Sequence, residues 1–309
     1  MDELSLRGAW KKMAAACLAA AVTTSLHLGV ESVAEAAPAH CPELYAVAIP
    51  GTWETSSTGA GKGMLAVALN DLPGDVEVDY VAYAATAFPW ESEVYGRSKQ
   101  EAIDKARVSV SAMAQACAAT RIAVLGYSQG ADAAGDLAVE IGTGRGVVPP
   151  HRVVLVGLIS DPRRAPSDTL IGPPVPGAGA AGPRIGGFGW LASRTFTFCV
   201  AGDLYCAMPD SDFAGRIAGF FVQLSNPDPA QLGSYQQQAA EIIGDALAAG
   251  GFDLLSDQLN VSAYEQRKRQ IDDFLSSGIH QSYPTYAIGP GAVTPLTWLR
   301  QRLIEVTGP

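Results

Sequence analysis

The sequence has little positive charge and no basic stripe. Its 309 residues include 21 Lys and Arg against 31 Asp and Glu, so the formal net charge is −10. Proteins that bind nucleic acid or other polyanions concentrate Lys and Arg on one face or along one helix. The charge balance therefore argues against a nucleic-acid partner.

The sequence also lacks internal repeats and any C-x-x-C pair, whereas Gly (33) and Pro (20) are plentiful. Because C-x-x-C pairs are typical of structural zinc sites, their absence disfavours a four-thiolate metal site. The chain is 48% hydrophobic. A chain of this length and composition can bury a full core, either as one large α/β domain or as two small ones.

The first 36 residues have the pattern of an export signal. Three basic residues precede a mostly apolar stretch over 13–30, and Ala-Glu-Ala at 34–36 offers a small-x-small cleavage site. An uncleaved membrane anchor is the alternative, since the stretch is close to the shortest transmembrane length. We expect cleavage, which makes residues 1–36 a signal peptide and the mature protein secreted or associated with the cell envelope.

Because an exported protein can keep disulfides, the number of cysteines in the mature chain is informative. Cys17 leaves with the signal, so four remain, namely Cys41, Cys117, Cys199 and Cys206. An even number in an oxidising compartment predicts two disulfides, for which three pairings are possible. The close pair at 199 and 206 is the natural short bridge, which leaves the other two cysteines for each other.

Apolar runs alternate with helical patterns along the first two thirds of the chain. Such runs, without clean polar alternation, are typical of a parallel sheet covered by helices on both faces, hence of an α/β fold. The predicted strands are 44–49, 76–83, 121–125, 152–159 and 195–200, and the predicted helices between them are 62–72, 98–120 (with Ser98 as cap) and 131–141.

Two stretches depart from this alternation. Residues 162–189 are dense in Pro and Gly and are either an ordered surface loop near the site or a mobile flap. Residues 210–277 turn helical, with predicted helices at 212–224, from Asp228-Pro229 to a stop at Gly250-Gly251, and at 261–277. The apolar segment 219–222 has two interpretations, namely a helix that packs on the sheet and the wall of an acyl-chain pocket. A last helix, capped by Thr294-Pro295, runs through residue 306.

The pentapeptide Gly-Tyr-Ser-Gln-Gly at 126–130 lies between a predicted strand and a predicted helix. A serine on a strand-to-helix turn has a strained backbone and an exposed hydroxyl, and flanking glycines leave room for the neighbouring chain. The pattern G-x-S-x-G in this setting marks the nucleophile elbow of α/β-hydrolases. A plain Gly-Ser turn is the alternative; the flanking elements favour Ser128 as a nucleophile.

A nucleophilic serine needs a base, and four histidines are available. His27 leaves with the signal, His40 lies close to the mature N-terminus, and His151 precedes a strand and so belongs at the opposite end of the sheet. Elimination leaves His280, in a loop after a helix, as the candidate base. The alternative is a surface-loop histidine.

The base in turn needs an orienting carboxylate. Asp203 follows a strand and lies in a loop that a short disulfide would fix, and Asp161, also just past a strand, is its competitor. The order Ser128, Asp203, His280 matches the triad order of α/β-hydrolases.

These motifs together resemble the cutinase family, and specifically its actinobacterial cutinase-like branch. The resemblance rests on the elbow pentapeptide, on the Cys-x-x-Gly-Asp-x-x-Cys loop at 199–206, and on Pro-Gly-Thr-Trp-Glu-Thr at 50–55. It covers residues 41 to about 206 well. It implies an α/β-hydrolase domain over 41–309 with a helical insertion at about 210–277.

The resemblance also implies roles for individual residues. Ser128 would be the nucleophile, Asp203 the orienting acid and His280 the base. Thr52 and the backbone N–H of Gln129 would form the oxyanion hole. The implied disulfides are Cys41–Cys117 and Cys199–Cys206, and no metal or organic cofactor is implied.

One departure from small cutinases bears on the substrate. In small cutinases the histidine follows the Gly-Asp loop closely, whereas here 77 positions separate Asp203 from His280. The inserted helical segment is similar in plan to that of phage mycolyl-arabinogalactan esterases and mycobacterial trehalose dimycolate hydrolases. That likeness implies esters of very long branched acids as the substrate class.

The first hypothesis is thus an exported serine esterase that hydrolyses long-chain, mycolate-type acyl esters of envelope lipids such as trehalose dimycolate. The expected partners are that lipid and the envelope lipid surface. The rivals are a phospholipase A or thioesterase of the same fold and a catalytically silent lipid-binding protein. A phage lysin is disfavoured, because the export signal and the expected disulfides do not suit a reducing cytoplasm.

Overall fold

A computed structural model describes residues 40–88 and 90–308. The predicted signal peptide, with Cys17 and His27, lies outside the described residues. Within the described part of the chain, no helix combines the length and the hydropathy needed to cross a bilayer.

Five parallel strands form one sheet in the order β2-β1-β3-β4-β5. This confirms the parallel α/β sheet predicted from the alternation of apolar runs and helices, and the α/β-hydrolase fold that the elbow motif and the family resemblance imply. The strands are β1 Leu44–Ile49, β2 Val76–Tyr80, β3 Arg121–Tyr127, β4 Val153–Ile159 and β5 Thr195–Phe198.

Every residue of β1 is buried, which explains its uninterrupted apolar sequence. Successive side chains of a strand point to opposite faces of the sheet. Tyr45, Val47 and Ile49 accordingly join the core cluster on one face, while Leu44 and the two alanines of the strand join the cluster on the other face.

The helices of the described chain cover both faces and add a helical segment after β5. They are α1 Ala66–Leu69, α2 Tyr95–Ala116, α3 Gln129–Gly142, α4 Phe213–Gln223, α5 Leu232–Ala249, α6 Gly251–Leu259, α7 Val261–Ser277 and α8 Pro295–Thr307. Helices α2 and α3 pack on one face of the sheet, and α1 and α8 on the other.

Two helix starts differ from the sequence prediction. Helix α1 is shorter than 62–72, because the Glu54 carboxylate accepts hydrogen bonds from the N–H groups of Gly51 and Met64 and Gly63 has φ +52°. Ser98 is not the cap of α2, which begins three residues earlier. Its buried hydroxyl instead accepts a hydrogen bond from the N–H of Thr86.

Helices α4 to α7 form the insertion between the candidate acid and the candidate base. Asp212 caps α4 and Asn260 caps α7 with their side chains. The predicted stop at Gly250 is correct, but the sequence prediction missed α6. The chain turns at Gly250, with φ +156°, and resumes helical geometry at the next residue.

The Pro/Gly-rich stretch 162–189 is tied to the rest of the domain by buried arginines. Arg164 donates through Nε to the carbonyl oxygen of Cys206 at 2.8 Å and through Nη2 to that of Gly177. Helix α4 approaches the same stretch so closely that a Cβ on Gly219 would lie 1.9 Å from the carbonyl oxygen of Ala180. The stretch is therefore packed against the rest of the domain in this structure.

Two disulfides join Cys41 to Cys117 and Cys199 to Cys206. These are the pairings that the family resemblance implies. The first links the residues before β1 to the end of α2, and the second closes the loop that follows β5.

Candidate active site

Ser128 lies on the sharp turn between β3 and α3. Its backbone has φ +56° and ψ −122°, which is strained for a residue with a side chain. A Cβ on Gly126 would lie 2.2 Å from the carbonyl oxygen of Gly130, and a Cβ on Gly130 would lie 2.0 Å from that of Ile49. Only glycine fits at either position, so the pentapeptide dictates this turn.

The structure brings Ser128, His280 and Asp203 together. The Nε2 atom of His280 lies 3.0 Å from Oγ of Ser128, and its Nδ1 atom lies 2.9 Å from Oδ2 of Asp203. Both distances are within hydrogen-bond reach, as a nucleophile, base and orienting acid require. The three residues are separated by up to 152 positions along the chain.

Asp203 is fully buried and richly hydrogen-bonded. Its Oδ2 atom accepts from the hydroxyls of Ser160 and Tyr283, both at 2.6 Å, and its Oδ1 atom accepts from the N–H of Tyr205 at 3.1 Å. Burial favours the neutral acid, but the hydrogen bonds of His280, Ser160 and Tyr283 outweigh it. The pKa of Asp203 consequently lies below its ordinary value.

The sequence analysis missed Ser160 and Tyr283. Ser160 directly follows β4, with φ +52°, and its hydroxyl also lies 3.1 Å from Nδ1 of His280. Tyr283 is three residues beyond the candidate base. Burial, followed by the nearby charge of Asp203, raises the pKa of Tyr283 well above its usual range, so its hydroxyl remains a donor. Their positions in the sequence could have indicated both residues, because Ser160 immediately follows a strand and Tyr283 lies close to the loop histidine.

Three aromatic rings surround the imidazole of His280. The ring of Tyr127 stacks on it at a centroid distance of 5.1 Å, and the rings of Tyr205 and Phe274 lie at 4.5 and 6.3 Å. The Tyr127 hydroxyl also donates to the backbone carbonyl of His280 at 2.7 Å. These contacts fix the loop that follows Gly278, whose φ of +66° ends α7.

We predict that Tyr283→Phe moves the acid limb of kcat/KM to higher pH. The change removes a donor to a buried carboxylate, and such a hydrogen bond is worth about 1.5–3 kcal/mol, or roughly one to two pKa units. The pKa of Asp203 would therefore rise, and since this carboxylate and the imidazole of His280 titrate as a coupled pair, the pair would keep its proton to a higher pH and leave no free base there. A pH profile on a short soluble ester should shift by about one unit.

Tyr286→Phe is the matched control, because Tyr286 lies on the same loop and is not a hydrogen-bond partner of Asp203. Its profile should coincide with that of the unmodified chain. A lower melting temperature of Tyr283→Phe with an unmoved pH profile would mean that the hydroxyl has only a structural role.

Thr52 and Gln129 lie side by side next to Ser128. Gln129 is the first residue of α3, so its N–H has no acceptor within the helix. The Thr52 hydroxyl lies 3.5 Å from Oε1 of Gln129, and Nε2 of Gln129 donates to the carbonyl oxygen of Thr86 at 2.9 Å. This side chain thus ties the loop after β1 to the start of the elbow helix.

The other candidates lie outside this group. Asp161 points into a buried cluster of charges, where it pairs with Arg184. The exposed His40 pairs with Asp75 at 2.6 Å, and His151 precedes β4 at the opposite edge of the sheet.

The buried charges near Asp161 are balanced. Three cations (Lys99, Arg163, Arg184) interleave with three carboxylates (Asp132, Asp136, Asp161) at 2.5–3.4 Å. Two of the carboxylates belong to α3, the elbow helix, and two of the cations belong to the Pro/Gly-rich stretch 162–189. The cluster therefore anchors that stretch to the helix that begins directly after Ser128.

Among the described residues, no group of three or more His, Cys, Asp or Glu side chains has an arrangement that could hold a metal ion. What the site does offer is a hydroxyl, an imidazole and a carboxylate in series, beside a helix N-terminus that favours negative charge. This arrangement suits acyl transfer through a serine ester.

Comparison with known proteins gives one family match. The family model described as Cutinase matches residues 40–217, which include Thr52, Ser128 and Asp203. The carboxylesterase Culp6 homolog of Corynebacterium glutamicum is 31% identical over 208 residues, covering 56% of this chain and 67% of that protein.

The chain is also similar to several solved structures. The catalytic core domain of acetyl xylan esterase from Trichoderma reesei has a TM-score of 0.44 and 19% identity, covering 66% of this chain and 98% of the other. Lysin B from Mycobacteriophage D29 has a TM-score of 0.42 and 19% identity, covering 69% of this chain and 92% of the other.

Proposed function

The chain belongs to the cutinase family and is a carboxylic ester hydrolase, and from this premise we propose that it is an exported serine esterase with a Ser128–His280–Asp203 triad. Its proposed substrates are long-chain, mycolate-type acyl esters of envelope lipids such as trehalose dimycolate. The observation that carries the triad is the continuous hydrogen-bonded series Ser128 Oγ, His280 Nε2 and Nδ1, and Asp203 Oδ2.

In the proposed mechanism, Oγ of Ser128 attacks the ester carbonyl while Nε2 of His280 takes its proton. The carboxylate of Asp203 stabilises the imidazolium, and the donors of Gln129 and Thr52 hold the oxyanion. His280 then returns the proton to the leaving alcohol, which departs from the acyl-enzyme. A water molecule, activated by the same imidazole, releases the acid and restores the serine. Each oxyanion donor typically lowers the barrier by ~3 kcal/mol.

Export is proposed from the pattern of residues 1–36 and is supported by the two disulfides. Disulfides persist in oxidising compartments and are rare in reducing ones. We propose the same organisation of the chain as above, with a signal peptide at 1–36 and a hydrolase domain at 41–309. The insertion of about 210–277 corresponds to helices α4 to α7.

The long-chain substrate is supported by apolar side chains that the insertion leaves in contact with solvent. Monomeric proteins seldom expose a contiguous apolar patch without a binding role. Ten large hydrophobic residues of the insertion are exposed, namely Phe221, Val222, Leu232, Ile243, Leu247, Leu259, Val261, Tyr264, Ile271 and Leu275. A substrate with long acyl chains would bury such surface.

Labelling with a serine-directed alkyl phosphonate tests the triad. The unmodified chain should form one phosphonyl adduct on the peptide that contains Ser128, and Ser128→Ala should form none. Ser167→Ala, a change in the Pro/Gly-rich stretch, is the control and should label fully. Absence of labelling in the unmodified chain would favour a catalytically silent lipid-binding protein.

A series of esters of increasing acyl length, run beside purified trehalose dimycolate, tests the substrate class. We expect turnover to persist to long chains and to release free mycolic acid from the glycolipid. A sharp preference for short soluble esters would contradict the envelope-lipid proposal and leave the hydrolase intact. Faster cleavage of a phospholipid or of an acyl thioester would favour the rival substrate classes.

A further inference from the structure

Three exposed aromatic rings are stacked beside the candidate oxyanion hole. Trp53 follows Thr52 directly and is 67% exposed, while Phe88 and Trp90 belong to the loop after β2 and Trp90 is 79% exposed. The ring of Phe88 lies parallel to that of Trp90 at a centroid distance of 4.7 Å and 6.1 Å from that of Trp53. We refer to these three side chains as the aromatic column.

A single carboxylate organises the aromatic column. Glu91 accepts a hydrogen bond from Nε1 of Trp53 at 2.6 Å and from the N–H groups of Ala87 and Phe88 at 2.7 and 2.8 Å. These bonds, the backbone ones first, lower the pKa of Glu91. The column is therefore pre-ordered on the surface although its rings bury little area within the domain.

A second apolar surface lies on helix α7. Val261, Tyr264, Ile271 and Leu275 are exposed and fall on one face of the helix at 100° per residue. They form a stripe about 21 Å long at 1.5 Å per residue. We refer to these four residues as the α7 stripe.

The α7 stripe ends at the other side of the candidate site. Phe274, the neighbour of Leu275, contacts the rings of Tyr205 and His280. The aromatic column adjoins Thr52, so the two surfaces flank the nucleophile at the carboxyl edge of the sheet. Anything that covers both surfaces also covers the entrance to Ser128.

The position of the two surfaces beside the site distinguishes between the molecules that could cover them. A second copy of the chain or another folded protein on both surfaces would close the site to substrate. A layer of lipid on both surfaces would instead supply the ester to the serine. Aromatic residues with an indole N–H are also the side chains that favour the boundary between water and lipid.

The charge of the insertion restricts the kind of lipid. Helix α7 itself contains three carboxylates and three basic side chains and so has no net charge, while residues 210–260 before it contain seven carboxylates and one basic side chain and carry −6 of the chain's −10. This negative segment would repel anionic headgroups, and the three basic side chains of α7 are balanced by its carboxylates, so they do not form the larger Lys and Arg cluster that attracts anionic lipid. A surface of uncharged or zwitterionic headgroups would not be repelled.

We propose that the aromatic column and the α7 stripe together form a docking face for a lipid surface without net charge, with the site between them. The proposal rests on the proposed function only in that the docked lipid is the source of the ester. It assigns a role in surface binding to seven residues, none of which is a member of the triad.

Vesicle flotation tests the docking face without any turnover. The parent is the full mature chain with Ser128→Ala, mixed with vesicles of phosphatidylcholine alone or of phosphatidylcholine with added phosphatidylglycerol. The parent should float with the neutral vesicles and less with the anionic ones. Trp90→Ser and Leu275→Ser should each weaken partitioning about tenfold, because each removes one large apolar side chain from the contact.

Trp190→Ser is the matched control. Trp190 is 81% exposed, more than Trp90, but it precedes β5 and so lies at the opposite edge of the sheet. Partitioning of this variant should stay within about twofold of the parent. Circular dichroism and melting temperature verify that all variants are folded, as expected for changes at exposed positions.

Four results would overturn the docking face: no flotation of the parent, preference for anionic vesicles, equal loss in Trp190→Ser, or unaltered flotation of both Trp90→Ser and Leu275→Ser. Sedimentation adds a further outcome, since a dimer of the parent that dissociates in Leu275→Ser would assign the stripe to a second copy. Phosphonate labelling of the chain with Ser128 intact reports on the esterase separately, so failure of docking and failure of catalysis are distinguishable.

Discussion

Asp203→Asn should lower kcat by about 10⁴ on a short soluble ester. Oδ2 of Asp203 accepts three donors, from His280, Ser160 and Tyr283. An asparagine either turns its amide N–H groups toward these donors or turns them toward the N–H of Tyr205. Both orientations place donor against donor, and both remove the negative charge that stabilises the imidazolium.

Asp161→Asn is the matched control for this change. Asp161 also follows a strand and is also buried, but its carboxylate pairs with Arg184. We expect this variant to lose stability in urea unfolding while kcat changes by less than about tenfold. If the two variants lost activity equally, Asp203 would not be the distinctive orienting acid.

These two aspartates show what the sequence could predict about the site. The short disulfide around Asp203 favoured it over Asp161, because that feature is local in the chain, and the structure places its carboxylate 2.9 Å from Nδ1 of His280. The donors that share its carboxylate could not be predicted in the same way. Ser160 and Tyr283 reach Asp203 only because β4, β5 and the loop after α7 meet at one sheet edge.

The same distinction applies to the fold. The apolar runs predicted the five strands to within a few residues, and the cutinase-like α/β-hydrolase fold is confirmed. The helix ends that the sequence analysis misplaced depend on distant contacts. Glu54 shortens α1 by holding the N–H of Met64, and Ser98 is drawn into the network of Gln129 instead of capping α2.

The largest expected effect on stability comes from Arg184→Met. Arg184 is almost completely buried, and its guanidinium contacts Asp132, Asp136 and Asp161. Its removal leaves three buried carboxylates with only two cations. Breaking a buried ion pair in this way typically destabilises a protein by about 3–5 kcal/mol, and urea unfolding at neutral pH should show a loss of this size.

The pH dependence of this loss distinguishes a charge effect from a packing effect. Burial, only partly offset by Arg184, already raises the pKa of Asp161, and removal of the cation would raise it further. A carboxyl group whose pKa is raised by folding binds its proton more tightly in the folded state. The folded variant therefore gains relative stability as the pH falls through that raised pKa. The difference in free energy of unfolding between Arg184→Met and the unmodified chain should be smaller at pH ~5 than at pH ~8.

Addition of Asp161→Asn to Arg184→Met supplies the decisive comparison. The second change removes the carboxylate that the first leaves without its partner, so the double variant should be more stable than Arg184→Met alone at neutral pH. The methionine side chain is the same in both, so any recovery reports on charge and not on packing. If the loss in free energy of unfolding did not vary with pH and was not reduced by the second change, Arg184 would instead stabilise the domain through its volume. In that case the six buried charges would not be what fixes the elbow helix against the Pro/Gly-rich stretch.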